Sequence, residues 1–502
     1  MRPAQNSTPE CFAETLESTP QYRSTRLRDG QGGDMDGHSP PATEATRLLE
    51  LQRAAHAKQR VPTARARTDR LYQLEDMIRK RAESFADAIS ADFGNRSRFE
   101  TDLLEIMVLI SAIRYARKNV KWWMQPSFRE VGINFWPGSA WVRPEPLGVV
   151  GIVSPWNYPL QLALSPLVDA IAGGNRVIIK PSEQTPNFCD LLKRAISETF
   201  EEDEIAVVLG GPDVAAEFSR LPFDHLVFTG STSVGRRVAA AAAENLTPST
   251  LELGGKSPAV ICPSASMKKA VQAIAYGKFI NAGQTCIAPD YVLAPRERVI
   301  EFAELLLAET RRAYPDLGGD YSSMISERAF DRLTAAVTEA ELGGAKVLRH
   351  PAPSDRARRI LPPIVVLDPP QECLLVREEI FGPVLPVIGY DTLADALDWI
   401  NAHPAPLALY VFAEDAREQS KVLDGTQSGG VTVNGTLLHI AQEGLPFGGV
   451  GASGWGAYHG KAGFDRFTHQ RAVFKTGVFN AATLLSPPYG KRARRLLKFL
   501  MR

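Results

Sequence analysis

The sequence predicts an α/β protein built on two open, doubly wound parallel sheets of Rossmann type, with a small β-hairpin element attached. Three observations carry that expectation. From Gly148 onward, short β-branched runs alternate with helix-length segments, the strand–helix–strand pattern of a parallel sheet. A glycine-bearing turn, GSTSVG (230–235), follows one such run and leads into an alanine-rich stretch. At 502 residues the chain is also too long for one ordinary core, so two large domains are expected.

Taken in order, residues 1–45 are rich in Ser, Thr, Pro, Gly, Asp and Arg, which predicts a disordered extension. Helical periodicity begins near Thr46. Residues 99–120 read as a helix whose centre (106–113) is apolar on nearly every face, hence buried. Trp136, Trp141 and a Pro-Gly pair predict a hairpin over 133–142, to which 472–475 adds a strand. Bare aromatic edges invite pairing, so a second subunit is expected to cover them. Strands follow at VVGIV (149–153), VIIK (177–180), AVVL (206–209) and LVF (226–228). After Pro186, Leu191, Leu192, Ala195, Ile196 and Phe200 share a helical face. A second α/β region runs from about 255 to 451, with strands at AVI (259–261), DYVLA (290–294), PIVVL (363–367) and GVTVNG (430–435). No internal repeat is visible.

Composition narrows the function classes. Lys plus Arg and Asp plus Glu each total 57, so the net charge is zero and a nucleic-acid partner has no electrostatic support. The chain has no signal-peptide core and no apolar run of membrane-spanning length. Five scattered cysteines (Cys11, Cys189, Cys262, Cys286, Cys373) form no CxxC pair, which points to a reducing cytoplasm and against a zinc site. His439, His459 and His469 lack ligand spacing, so no metal is expected. The basic segment 491–502, KRARRLLKFLMR, reads first as a solvated helix end and second as a surface for anionic membranes or a partner.

Two stretches carry reactive groups. NAGQTC (281–286) places Cys286 behind Gly283, and glycine lets backbone approach a ligand. Most cysteines are simply packed, but a thiolate attacks carbonyl carbons if a base or a lowered pKa ionises it. LELGGKSP (251–258) offers Glu252, and a carboxylate can activate the water that releases a product. A rival reading exists. GSTSVG is an imperfect GxGxxG, with Thr232 at the middle glycine, placed to receive a phosphate at a helix N-terminus. Such a fingerprint expects a ribose-binding acid about twenty residues on, and Glu252 lies 22 residues beyond Gly230. Composition leaves both roles open. SPWNYP (154–159) ends the strand VVGIV, where Asn157 is either an oxyanion donor or a turn residue. KPSE (180–183) also ends a strand, so Lys180 and Glu183 either reach ribose hydroxyls or are solvated.

These pieces occur in order with EEIFGP (378–383) and LPFGGVGASG (445–454), and from about 48 to 480 the chain resembles the aldehyde dehydrogenase superfamily. ISADFG (89–94), NAGQTCIAPDY (281–291) and GAYHGKAGFDRFTH (456–469) are similar to its class 3 branch and, within it, to bacterial coniferyl aldehyde dehydrogenases. The resemblance implies Cys286 as nucleophile, Glu252 as general base, and Asn157 with the Cys286 backbone N–H as oxyanion donors. It implies ribose contacts at Lys180 and Glu183, pyrophosphate at Ser231, nicotinamide ribose at Glu379, and Phe381 beside that ring. Trp156, Ser182, Gly230, Thr232 and Gly235 complete the implied cofactor set. The ribose acid is then Glu183, which frees Glu252 for catalysis. Glu183 also favours NAD over NADP, since it hydrogen-bonds a free 2′-hydroxyl and repels a 2′-phosphate, although relatives with an equivalent acid can be permissive.

The implied domains are cofactor-binding (46–126 and 143–254), bridging (127–142 and 471–480) and catalytic (255–450), with a basic tail at 481–502 and a homodimeric assembly. The implied substrate is an aromatic or phenylpropenal aldehyde such as coniferaldehyde, oxidised through a cysteine thioester; class 3 relatives also take medium or long aliphatic aldehydes. A CoA-acylating member is the rival enzyme, and Glu252 argues against it, because acyl transfer to a thiol needs no water-activating base. A silent scaffold is the rival outside enzymes, and retention of Cys286, Glu252 and Asn157 argues against that.

Overall fold

The computed structural model describes residues 43–478 and 486–501. The expected disordered extension lies outside the described residues except for 43–45, where the Thr43 hydroxyl already caps the helix Glu44–Lys58. The segment 99–120 is not one regular helix. It comprises an α-turn Arg98–Thr101, a π-helical stretch Asp102–Met107 and the α-helix Val108–Trp123. Its centre is also not buried all round, since Met107 is 50% exposed while Glu105, Ile106, Leu109 and Ile113 face inward. The π-turn is where Glu105 points into the protein to meet Arg96.

The small sheet corrects the hairpin expected over 133–142. Strand β1 (Ser127–Arg129) pairs antiparallel with β2 (Ser139–Pro146), placing Phe128 opposite Trp141. Ile133–Phe135 is instead a 3₁₀ turn closed by Phe135 N–H to Gly132 O and Trp136 N–H to Ile133 O. Pro137 has no N–H to give a ladder, and the Pro-Gly pair closes a turn inside the connection through Gly138 N–H to Phe135 O at 2.9 Å, not a hairpin turn within 133–142.

The first large sheet contains β3 (Val149–Val153), β4 (Arg176–Lys180), β5 (Ile205–Val207), β6 (His225–Gly230) and β7 (Ser249–Leu253). They are parallel in the order β7-β6-β3-β4-β5. Every residue of β3 and β4 is buried, which is why these strands read as unbroken β-branched runs. The order reverses at β3, opening a crevice between the carboxyl ends of β3 and β6. The helix Pro159–Gly173, buried at all fifteen positions, starts from that crevice and stops at Gly174, whose φ of +90° is left-handed. In the helix Pro186–Ser197 the expected Leu192, Ala195 and Ile196 are buried, and Leu191 is half-buried.

The second large sheet contains β8 (Pro258–Ile261), β9 (Tyr291–Pro295), β10 (Lys346–Arg349), β11 (Ile364–Leu367), β12 (Val384–Tyr390), β13 (Ala408–Phe412) and β14 (Gly430–Val433). Its order is β10-β11-β12-β9-β8-β13-β14, parallel except for β10. The chain then returns. Strand β15 (Gly454–Trp455) pairs with the edge of β7, and β16 (Thr468–Lys475) pairs with β2 along its whole length. Residues 479–485 and 502, which belong to the expected bridging and tail segments, lie outside the described residues. Among the described residues no helix is long and apolar enough to cross a membrane, and no His/Cys/Asp/Glu group could hold a metal. His439 and His459 stack on Phe447, and burial pulls both imidazoles down to about 4.

Candidate active site

The two large sheets are joined at Leu253–Pro258, where β7 runs through Gly254 and Gly255 into β8, an inner strand of the second sheet. A cavity of about 250 Å³ opens at this junction. The carboxyl ends of β3 and β6 contribute Trp156, Asn157, Gly230 and Ser231, and β7 contributes Glu252. From the second domain come Cys286, just before β9, and Glu379 and Phe381, just before β12. Eight residues singled out from sequence therefore share one cavity. Lys180, Ser182 and Glu183 lie beyond its lining, on the next strand end, since Val153 and Lys180 are paired across β3 and β4. Thr232 begins the adjoining helix Thr232–Glu244, and Gly235 packs inside that helix against Leu253.

The loop carrying Cys286 is held by amide side chains. Asn281, Ala282 and Gly283 all have positive φ (50°, 50° and 74°), a conformation that needs outside support. Asn281 Nδ2 donates to the carbonyls of Asn157 and Gln284 at 3.0 and 3.2 Å. Gln284 Nε2 donates to Asn281 O and Ser323 O, while its Oε1 accepts from Ile325 N–H at 2.8 Å. Gly283 is required for contact: a Cβ there would come within 2.3 Å of Gly382 O, so the Cys286 loop lies directly on the EEIFGP loop.

Asn157 is held from both sides. Its Nδ2 donates to Gln284 O at 3.1 Å, which leaves one amide hydrogen uncommitted. Its carbonyl accepts from Arg96, whose fully buried guanidinium also pairs with Glu105 at 3.0 Å. The second Glu105 oxygen accepts from Leu160 and Gln161 N–H, capping the buried helix. Tyr158 shares a 2.7 Å hydrogen bond with Thr285, beside Cys286. Glu100 accepts from Asn281 N–H at 2.9 Å, and burial raises its carboxyl to about 7.

Electrostatics favour neutral acids here. Burial, then the Glu379 and Glu252 carboxyls, push the Cys286 thiol up to about 12, while the Cys286 and Ile287 N–H groups pull the other way. Glu252 is buried, neither of its oxygens has a hydrogen-bond partner among the described residues, and burial lifts it well above the usual carboxylate range. Burial and Asp290 raise Glu379 to about 8, against the Gly255 N–H and Lys256. A Cβ on Gly254 would sit 2.2 Å from Glu379 Oε2, so only glycine lets that carboxyl approach the backbone. At the neighbouring strand end, Lys180 Nζ meets Glu183 at 2.9 Å; partial burial raises the Glu183 carboxyl, and Lys180 outweighs it to leave a net lowering.

Sequence reasoning missed Arg96, Glu100, Glu105, Asn281, Gln284, Lys256, Asp290 and Phe447. Lys256 bonds Asp290 and the carbonyls of Leu375 and Glu378, while Asp290 accepts from Ile380 N–H, so the pair fixes the EEIFGP loop. One signal was present: Glu105 is an acid inside an otherwise apolar helical run, which calls for a buried partner.

The family model described as aldehyde dehydrogenase family matches residues 37–473. A probable coniferyl aldehyde dehydrogenase of Pseudomonas aeruginosa is 50% identical over 452 residues, covering 90% of this chain and 94% of the relative. A solved structure of Staphylococcus aureus AldH in a substrate-bound state is 36% identical with a TM-score of 0.86, covering 90% of this chain and 99% of that one. A Mycobacterium tuberculosis aldehyde dehydrogenase complexed with NAD+ is 29% identical with a TM-score of 0.78, covering 86% and 90%. The chain belongs to the aldehyde dehydrogenase family and is an aldehyde-oxidising enzyme of it.

Proposed function

We propose that this enzyme oxidises an aromatic or phenylpropenal aldehyde, represented by coniferaldehyde, to its carboxylate with NAD through a covalent adduct on Cys286. One observation carries the reading: Cys286, Asn157 and Glu252 converge on a single cavity that Ser231, Gly230, Glu379 and Phe381 also line. The Pseudomonas aeruginosa relative's name supports the substrate class, and the apolar walls at Leu162, Leu407 and Phe447 suit an aromatic ring.

The residues fit a nicotinamide dinucleotide. Ser231 caps a helix whose first-turn N–H groups favour an anion, Lys180 and Glu183 stand at the next strand end, and Gly254 makes room for Glu379. Glu183 selects NAD by disfavouring a 2′-phosphate. Deprotonated Cys286 adds through Sγ to the carbonyl carbon, and the carbonyl π pair moves to oxygen. The spare Asn157 amide hydrogen and the Cys286 N–H receive that oxyanion. A nicotinamide dinucleotide held by these residues would supply the two-electron oxidant, an acceptor for hydride from the adduct's C–H bond. Cys286 then holds the acyl group as a thioester. Glu252 takes a proton from the water that adds to it, the C–S bond breaks, and the carboxylate leaves with the thiol restored. We also assign the small sheet to a homodimer contact and the enzyme to the cytoplasm.

The test is steady-state NADH formation with coniferaldehyde, benzaldehyde and hexanal, using NAD or NADP. Coniferaldehyde with NAD is expected to give the highest kcat/KM, and Cys286→Ala to give no turnover. A preference for hexanal overturns the substrate assignment, parity with NADP overturns the role of Glu183, and turnover by Cys286→Ala overturns the chemistry.

A further inference from the structure

The last described helix, Lys491–Leu500, takes no part in the site and has no buried residue. Its i, i+3, i+4, i+7 spacing puts Ala493, Leu496, Leu497 and Leu500 along one face. Lys491, Arg494, Arg495 and Lys498 occupy the opposite face at the same spacing, with Arg492 on the flank. On the apolar face Leu497 is 50% exposed and Ala493, Leu496 and Leu500 are half-buried, and on the flanks Phe499 and Met501 are 74% and 78% exposed. The helix contains no acid, and among the described residues none of its basic side chains makes an ion pair or side-chain hydrogen bond. The whole chain is electrically neutral, so this concentration of charge is a local feature.

An apolar face backed by an unneutralised cationic face fits a particular kind of surface. A polyanion in solution satisfies the charges but not the leucines, and an apolar protein groove satisfies the leucines but not the charges. An anionic bilayer satisfies both at once: the leucines enter the acyl boundary while the lysines and arginines stay among the headgroups. At ten residues the helix is about 15 Å long, so it lies along the interface and does not span it. We infer that Lys491–Leu500 docks the enzyme reversibly on an anionic membrane surface.

Sedimentation of the full chain with vesicles tests this, using phosphatidylcholine alone or with about 30% phosphatidylserine. The chain is expected to pellet with the anionic vesicles at low salt, to be released by high salt, and to ignore neutral vesicles. Arg494→Glu/Arg495→Glu should weaken partitioning about 10-fold or more. Leu496→Gln/Leu500→Gln should weaken it by a similar factor of about 10. Aldehyde turnover should equal that of the unmodified chain in both variants, verifying their fold. Failure to bind anionic vesicles, or undiminished binding by the charge-reversed variant, overturns the proposal. Undiminished binding by the glutamine variant also overturns it, leaving only a polyanion site. A chain ending at Gly490 whose mass by light scattering differs in oligomeric state assigns the face to a second copy instead.

Discussion

Cys286 and Glu252 face the same physical problem, because in the proposed mechanism each ionises where burial favours the neutral form. With the thiol raised to about 12, the thiolate is a minor species at neutral pH. Below the pKa of a thiol its reactive fraction grows about tenfold per pH unit. Alkylation of the cofactor-free enzyme by iodoacetamide should therefore climb steadily between about pH 7 and 9. A plateau below pH 8 would show that the thiol ionises early. Glu252→Gln should keep a stoichiometric burst of NADH and slow the steady state by about 100-fold, within the range removed with a general base. Stopped-flow absorbance separates the two phases, and loss of the burst would place Glu252 before hydride transfer. At this scale the sequence exposed the candidate reactive residues but left their roles open. The spacing from Gly230 suits Glu252 to a ribose as well as to catalysis, whereas the folded chain puts it in the Cys286 cavity and Glu183 outside it.

Strands β3, β4, β6, β8 and β9 were legible because parallel strands buried on both faces are written as β-branched runs. Strands β7, β10, β12, β13 and β15 were not identified: β10 is only partly buried, and β15 is two residues whose pairing exists only once β7 is beside it. The π-turn was hidden for a related reason, since the inward turn of Glu105 depends on Arg96 waiting there. That ion pair, with both side chains at 0% exposure, gives a measurable consequence. Arg96→Met leaves the Glu105 carboxyl buried and unpaired, and should cost about 3–5 kcal/mol in guanidinium unfolding. Adding Glu105→Leu should recover part of that loss, because an apolar pair carries no desolvation penalty. A loss below about 1 kcal/mol, typical of a solvated surface pair, would contradict the burial.

At the scale of the whole molecule, the site is assembled from opposite ends of two sheets. The first follows the rule that ligands bind at carboxyl ends of parallel strands. In the second, Cys286 and Glu379 precede β9 and β12, so they lie at amino ends that the rule does not flag. The small sheet leaves Phe128, Ile133, Phe135, Trp136 and Phe474 exposed, between 50% and 87%. Such a patch is characteristic of an interface. Light scattering should give the mass of a dimer, and Trp136→Lys/Phe474→Lys should shift it toward monomer; an unchanged mass would remove that sheet from the contact.

The sequence by itself determined the alternation of strands and helices, the family and the candidate reactive side chains, because burial on one or both faces and glycine turns are written locally. Only the tertiary structure decided which carboxyl shares a cavity with the thiol and which buried amides and ion pairs hold the strained Cys286 loop. Periodicity records that a side chain is buried, but a buried polar group is satisfied by a partner distant in the chain, and that partner is known only when the chain has closed on itself.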